Sequence, residues 1–286
     1  MVRRRVLDRP TSRLATWSLR VALFSLAATF IAIIVVRSGA LEIVPALSTL
    51  AGALLLAVVA ILLAFAAAGV IWMEGIGGAR EAGMGLFIGL ALIAYPLYLG
   101  VKSYRLPAIY DITTDPIDPP KFEAIARVRP RDANPVTYAG LYAAEQQRLA
   151  YADIEPDVSE ASPQEAYDAA LKVITKRKWH IVDARAPDGI SGPREGRIEA
   201  IARTVILAFR DDVVVRIRAT ADGGARIDIR SASRYGRHDL GANAARVRSL
   251  IADIDDVLAA PQPEKKEKQP RPKPNQAAGK GTSVKR

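Results

Sequence analysis

The sequence predicts three transmembrane α-helices followed by an α+β domain, a mostly antiparallel sheet with two principal helices on one face. Apolar residues concentrate before residue 102, and residues 179–258 pass from strand-like alternation to a helical apolar stripe. An apolar run of about 20 residues can span a bilayer, and alternation indicates a half-buried strand. We therefore expect a basic leader (1–16), a three-span membrane region (17–101), an extended segment rich in proline and aspartate (102–136), the α+β domain (137–260) and a disordered basic tail (261–286).

Three apolar runs predict the membrane spans. They cover residues 21–36, 46–73 and 84–101, and Arg37 closes the first of them. The first run reaches spanning length only with residues 17–20 as its interfacial end. A cleaved signal peptide is the alternative, because Ser38-Gly39-Ala40 resembles a small-residue cleavage site. However, the run and its leader are long for a signal peptide.

Gly85 and Gly89 form a GxxxG pair in the third run. Such a pair lets the backbones of two helices approach closely. The partner helix can belong to the same chain, as internal packing among the three spans, or to a second copy. Self-association through Gly85 and Gly89 is therefore one of two interpretations.

The charge of the chain lies at its two ends. Of the formal net charge of +10, residues 1–20 contribute +5 and residues 261–286 contribute +6, so the middle is nearly neutral. This distribution argues against a nucleic-acid partner and suits the lipid bilayer, anionic lipid or another envelope protein. The absence of cysteine excludes disulfides, thiolate metal sites and a cysteine nucleophile.

The distribution of lysine and arginine predicts the orientation in the membrane. The first 20 residues carry six arginines, whereas the two loops between the spans carry only Arg37 and Arg80. Positively charged flanks stay in the cytoplasm. We therefore expect a cytoplasmic N-terminus and, after three crossings, residues 102–286 on the far side of the membrane.

Turn and capping residues divide the α+β domain. Ser162 and Glu165 form a capping box that begins one helix, and a second helical stretch covers 137–149. Asp239 is the natural N-cap of the closing helix, with Asn243 in its first turn as a structural residue. The predicted strands are 179–184, 197–203, 204–210, 213–220 and 225–233, with a break at Asp211-Asp212 and a hairpin turn at 222–224.

One face of the predicted sheet is rich in arginine. In the strand 213–220, Val213, Val215 and Ile217 share the inward face, while Arg216 and Arg218 point the other way. We expect water to cover this arginine-rich face.

Asp111, Asp115 and Asp118 lie within eight residues of one another in the segment 102–136. A calcium loop would need more oxygen ligands and usually a glycine turn. Aspartate beside proline is common in turns. We therefore assign Asp115 and Asp118 to turn structure, and no metal ligands.

The stretch 230–243 carries the densest group of polar and charged residues in the folded part of the chain. Arg230, Arg234 and Arg237 near a helix start could hold an anion; the alternative is a structural ion-pair network with the segment 111–118. Ser231 or Ser233 with His238 could suggest a hydrolase, but adjacent His and Asp rarely face each other and no GxSxG elbow is present. We assign no catalytic residue and no cofactor.

Three motifs resemble the domain-of-unknown-function 1499 family. They are TDPIDPPKF at 114–122, QRLAYADI at 147–154 and RSASRYGRHDLGANAARVR at 230–248, with Ala152 where the family pattern has proline. Members are often bacterial proteins with membrane spans before the domain. The resemblance implies a fold and a location but no activity. We expect a bacterial inner-membrane protein with a periplasmic domain and a noncatalytic binding or scaffolding role; the alternatives are a small-anion or lipid-headgroup binder using the arginines at 230–237 and, least favoured, a hydrolase.

Overall fold

The structure is a computed structural model that describes residues 10–187 and 195–260. Residues 1–9 of the leader, residues 188–194 and the predicted disordered tail lie outside the described residues. Three long helices come first, and each is long and apolar enough to cross a membrane. At 1.5 Å per residue they are about 39–48 Å long. The prediction of three spans is confirmed by α1 (Arg13–Ser38), α2 (Ile43–Glu74) and α3 (Ala79–Arg105).

Small residues allow the three helices to pack closely. The Ser18 hydroxyl donates a hydrogen bond to the Ala60 carbonyl at 2.9 Å, and the Ser25 hydroxyl donates to the Ala53 carbonyl at 2.7 Å. A Cβ at Gly85 would lie 2.2 Å from Ser18 Oγ in α1, and a Cβ at Gly89 would lie 2.6 Å from a side-chain carbon of Ile61 in α2. Gly85 and Gly89 therefore allow α3 to approach α1 and α2 of the same chain closely.

The domain is α+β, as predicted. Residues 137–149 were expected to be helical, and the helix found there spans Gly140–Ala150; the short helix before it had no counterpart in the prediction. The elements are β1 (Asp111–Thr113), α4 (Ala124–Val128), α5 (Gly140–Ala150), β2 (Asp157–Ser159), α6 (Pro163–Lys176), β3 (His180–Arg185), β4 (Glu195–Arg203), β5 (Arg210–Ala219), β6 (Ala225–Ser233) and α7 (Ala242–Ala259).

The strands form one antiparallel sheet in the order β1-β6-β5-β4-β3, and β2 also pairs with β6. Strands β4, β5 and β6 make the long central part, joined by two hairpins. Strands β1 and β2 precede β4 in the sequence, yet both pair with the same edge of β6. The segment that leaves the membrane is therefore built into the sheet.

One face of the sheet carries the main apolar core. Val213, Val215 and Ile217 of β5 contact buried residues of α6 and α7, including Ile174 and Leu250. The strongly amphipathic α6 and the closing α7 cover this face. The predicted pair of principal helices on one face is confirmed.

The opposite face is also covered, which corrects the expectation of a solvated arginine-rich face. Phe122 and Ile125 pack on Val214 and Ala232 in a second, smaller core. The residues after β1 run across this face and shield Arg216 and Arg230 from water. The side chain of Arg216 is consequently only 6% exposed.

Two predictions around residues 204–212 are wrong. Thr204 to Phe209 form a turn rather than a strand, closed by a hydrogen bond from the Thr204 amide to the Phe209 carbonyl at 2.9 Å. Asp211 and Asp212 do not break the sheet but lie in the first residues of β5, where both are buried. Arginines from other elements pair with them, so two carboxylates can enter a strand that local propensity would end.

Candidate functional site

Arg230 lies at the centre of the arginine-rich face, in a fork-to-fork pair with Asp111. Its Nε and Nη2 donate to the two carboxylate oxygens at 2.9 and 2.8 Å, and the two side chains are 2% and 1% exposed. It also donates to the carbonyls of Pro120 and Val136 and lies over the Phe122 ring. Burial raises the pKa of Asp111, and the hydrogen bond and charge of Arg230 oppose that rise. The guanidinium thus compensates the desolvation of a buried carboxylate.

Arg234, at the end of the same strand, pairs with Asp212. Its Nε donates to Asp212 Oδ1 at 2.8 Å, and Arg129 Nε lies 3.4 Å from the other carboxylate oxygen. Burial raises the pKa of Asp212, while the hydrogen bond with Arg234 lowers it. The two arginines are both buried, so this carboxylate is shared between two cations in the interior.

A further network lies nearer the other end of β6, where three arginines meet three aspartates. Buried Asp228 accepts hydrogen bonds from all three arginines. Asp118 accepts from two of them and Asp115 from the third, so the charges balance within the described residues. Asp115 Oδ1 also accepts from two backbone amides, including that of Asp118, as in an Asx turn. The three arginines are Arg216, Arg218 and Arg226.

The three arginines considered for anion binding are therefore not brought together. Arg230 and Arg234 are buried in separate ion pairs, whereas Arg237 is exposed and makes no ion pair with the described residues. The contact between Arg230 and Asp111 fits the alternative, a structural ion-pair network with the segment 111–118. Arg230 and Arg234 are thus both engaged in buried ion pairs.

Asp239 and Asn243 organise the start of α7. Asp239 accepts hydrogen bonds from the amides of Gly241 and Asn243 at 2.9 and 2.8 Å, two residues before the helix N-cap at Gly241. Burial raises the pKa of Asp239, and these two backbone hydrogen bonds oppose the rise. The side chain of Asn243 bonds Ser231, Ser233 and the Tyr110 carbonyl. Both residues join the helix to the strand edge.

His238 contacts the membrane region rather than a serine. Its Nε2 lies 3.0 Å from the Ser103 carbonyl and 3.2 Å from the Leu106 carbonyl, and its Nδ1 accepts from the Leu240 amide. These contacts place the proton on Nε2. The hydroxyl of Ser231 donates to Asn243. Within the described ranges no hydrogen bond joins His238 to Ser231 or Ser233, so the groups required by a hydrolase do not converge.

A cavity of about 430 Å³ lies between the domain and the membrane region. One wall is formed by the end of α1, the α1–α2 loop and the start of α2. The other wall contains Arg203, Arg210 and Arg234 together with Asp132 and Tyr235. Polar groups of the domain and the boundary of the membrane helices thus meet in one concave site.

Arg203 and Arg210 are the exposed cations of this wall. They are directly opposite each other in the β4–β5 pair. Neither guanidinium has a hydrogen bond or ion pair with any residue in the described part of the chain. Like charges directly opposite on a sheet are destabilising. This is the place on the arginine-rich face where positive charge is left uncompensated.

Several structural residues escaped the sequence reasoning. Buried Glu199 accepts hydrogen bonds from the amides of Glu123, Ala124 and Ile125 and thereby caps α4. Buried Arg129, which lies beside Asp212, was not identified either. A charged residue amid the apolar alternation of β4 was the available signal for Glu199.

Ser162 and Glu165 lie at the start of α6, away from the buried ion pairs and from the cavity. The Ser162 hydroxyl accepts from the Glu165 amide at 3.3 Å, and Glu165 Oε2 accepts from the Ser162 amide at 3.0 Å. The two residues form a reciprocal capping box. They fix the start of the helix that covers the apolar core.

The fold and these contacts define a membrane protein whose α+β domain is tied to three helices. The sequence profile described as "Protein of unknown function (DUF1499)" matches residues 111–254. The chain belongs to this family, as the resemblance predicted. A comparison with curated proteins finds no match.

Proposed function

We propose that this protein is a noncatalytic binding or scaffolding protein of the bacterial envelope. In this proposal it lies in the inner membrane and holds its α+β domain against the periplasmic face. The observation that carries the proposal is the attachment of the domain to the membrane helices. Arg37, at the end of α1, donates to the carbonyls of Val205 and Ile206 in the β4–β5 turn at 2.5 and 2.8 Å.

A second attachment supports the same arrangement. His238 bonds the carbonyls at the end of α3, and Asp239 bonds the Ile109 carbonyl through its amide at 3.1 Å. The two attachments lie at separate places on the domain, one in the β4–β5 turn and one before α7. A domain held at two points presents a fixed surface beside the bilayer, as a scaffold requires.

The use of the charged residues favours binding over catalysis. Arg230 and Arg234 are directed into buried ion pairs, and Asp239 into hydrogen bonds at the start of α7. His238, which a hydrolase would use as its base, instead bonds the polypeptide that leaves the membrane. These side chains stabilise the position of the domain.

The charge of the first 20 residues supports this orientation. Their six arginines favour a cytoplasmic N-terminus, and three crossings from there lead to a domain on the other side. The chain has no native cysteine, so single cysteines can report the topology without background. We choose Val205, which is 90% exposed in the domain, and Glu74, exposed at the end of α2.

We expect a membrane-impermeant maleimide to label Val205→Cys in spheroplasts and to label Glu74→Cys only after lysis. The reverse pattern would contradict the periplasmic placement. The noncatalytic role is tested separately, by incubating the full-length protein in detergent with a chromogenic ester or phosphoester. We expect no turnover. Turnover that disappears in His238→Ala would overturn that role.

A further inference from the structure

The cavity between the domain and the membrane region has the size of a small-molecule site. Its volume of about 430 Å³ lies within the range of about 300–1,000 Å³ typical of such sites. It is formed by residues far apart in the sequence, from the α1–α2 loop and from the β4–β5 turn. A ligand there would contact the domain and the membrane region at once.

The domain wall offers uncompensated positive charge. Arg203 and Arg210 face each other without any acidic partner among the described residues. Arg234 also lines the cavity, and its Nη2 makes no hydrogen bond although it lies 2.8 Å from Asp212 Oδ1. Guanidinium groups match phosphate oxygens in geometry and charge. A phosphate between Arg203 and Arg210 would relieve their repulsion.

The opposite wall lies at the boundary of a membrane span. Arg37 ends the apolar run of α1 and lines the cavity together with Leu41, which is 46% exposed. In the turn beside it, Val205 is almost fully exposed, and its carbonyl is held by Arg37. Exposed apolar residues next to arginine at the end of a span are typical of the headgroup level of a bilayer. The phosphate most accessible there belongs to a lipid.

Two carboxylates restrict the type of headgroup. Glu42 and Asp132 line the same cavity, and Asp132 accepts a hydrogen bond from the Tyr235 hydroxyl at 3.4 Å. These groups would repel a headgroup that carries only negative charge. They match the ammonium group that accompanies the phosphate in an aminophospholipid.

We propose that this cavity binds the headgroup of an aminophospholipid of the surrounding bilayer. Arg203 and Arg210 hold its phosphate, and Glu42 and Asp132 face its ammonium group. The inference rests on the proposed binding role and names the ligand for it. Of the arginines considered for anion binding from the sequence, Arg230 does not line this cavity, and Arg234 lines it but is paired with Asp212.

The test uses delipidated full-length protein in detergent, titrated with phosphatidylethanolamine and followed by native mass spectrometry. We expect the double variant Arg203→Gln/Arg210→Gln to bind this lipid about tenfold more weakly than the parent, because it loses charge-assisted hydrogen bonds. Both positions are exposed, so the fold should persist. Retention of the parent's affinity would overturn the proposal.

A matched control removes the same charge elsewhere. Arg80 and Arg127 are exposed, and neither lines the cavity. We expect Arg80→Gln/Arg127→Gln to bind phosphatidylethanolamine like the parent. An equal loss of affinity in this variant would show that net charge alone causes the effect, and it would overturn the assigned site.

Two further titrations identify the ligand. We expect phosphatidylglycerol of the same chain length to bind more weakly than phosphatidylethanolamine, and Glu42→Gln to reduce that difference. Inorganic phosphate should bind far more weakly than the lipid; equal binding would make the ligand a free anion and overturn the lipid assignment. The cysteine-labelling pattern is independent of these results, so a failure of lipid binding is distinguishable from a failure of the proposed placement.

Discussion

Two groups of arginines lie on the same face of the sheet and have different fates. Arg216 and Arg230 pair with Asp118 and Asp111, two aspartates of the segment that leaves the membrane. Arg203 and Arg210 lie at the end of β4 and the start of β5, beside the membrane region, and have no acidic partner among the described residues. The residue type and the face of the sheet are the same, so the difference lies in what covers the side chains.

The covering segment determines which arginines become structural. Asp111, Asp115 and Asp118 all belong to the segment that leaves the membrane, and each pairs with an arginine of β5 or β6. An arginine buried with a carboxylate and satisfied by further hydrogen bonds stabilises the fold only as part of that set. An exposed arginine without a carboxylate remains available for a ligand. The same residue type is therefore paired beneath the segment and, in our proposal, binds a ligand beside the membrane region.

The largest effect is expected at the buried pair. Arg230→Ala leaves Asp111 desolvated without its cation, which costs about 3–5 kcal/mol of unfolding free energy. Arg203→Ala is the matched change on the same face and should alter stability by no more than about 0.5 kcal/mol. Denaturant unfolding followed by the fluorescence of Trp179 alone, with Trp17 and Trp72 replaced by phenylalanine, measures the domain.

Similar losses of stability in Arg230→Ala and Arg203→Ala would contradict the distinction between the two groups of arginines. The double variant Asp111→Leu/Arg230→Met provides a further control, since replacing both partners of a buried pair by apolar residues is often close to neutral. We expect it to recover much of the loss caused by Arg230→Ala. A double variant as unstable as the single one would show that packing, not the unpaired charge, causes the loss.

An intermediate effect is expected at Arg234. Its removal takes a hydrogen bond from Asp212, but Arg129 still lies 3.4 Å from that carboxylate. We therefore expect Arg234→Ala to cost about 1.5–3 kcal/mol, the value for a hydrogen bond to a charged group. The same Trp179 assay measures it, and Arg129→Ala in combination should cost more than Arg234→Ala alone. Stability unchanged in Arg234→Ala would contradict the structural role.

The fold was largely predictable because its signals are local. Apolar runs of spanning length, the alternation at 213–219 and the Ser162 capping box each depend on residues close in sequence. The apolar stripe of the last helix likewise needed no tertiary information. Local periodicity and capping are strong enough to define these elements without knowledge of the neighbours.

The covered face was not predictable in the same way. Arg216 alternates with apolar residues, so it looks solvated until the segment around Asp118, 98 residues earlier in the sequence, lies on it. Asp211 and Asp212 were read as a strand break for the same reason, because their partners Arg246 and Arg234 lie in later elements. Burial of a charged residue depends on a distant partner, which propensity and spacing do not reveal.

The cavity was missed because its two walls are unremarkable when considered separately. The turn 204–209 was assigned to a strand from its apolar residues, and this hid the hairpin that places Arg203 opposite Arg210. Arg37 was counted only as a flanking charge. The contact between Arg37 and the turn joins the membrane region to the domain, and no sequence pattern predicts it.

The smallest effect on stability is expected at Asp255, whose carboxyl group lies beside that of Asp157. Burial, followed by the charge and hydrogen bond of Asp157, raises the pKa of Asp255 to about 6 from an ordinary value of 3.8. Since the folded pKa exceeds the unfolded one, this group stabilises the fold fully below pH 3.8, and that contribution is lost as pH rises through about 6. Asp255 is exposed, so the change should be no more than about 1 kcal/mol. Relative to Asp255→Asn, whose amide stays neutral, the parent should lose stability between pH 4 and pH 7 in the Trp179 assay; parallel curves would show that the two carboxylates do not share a proton.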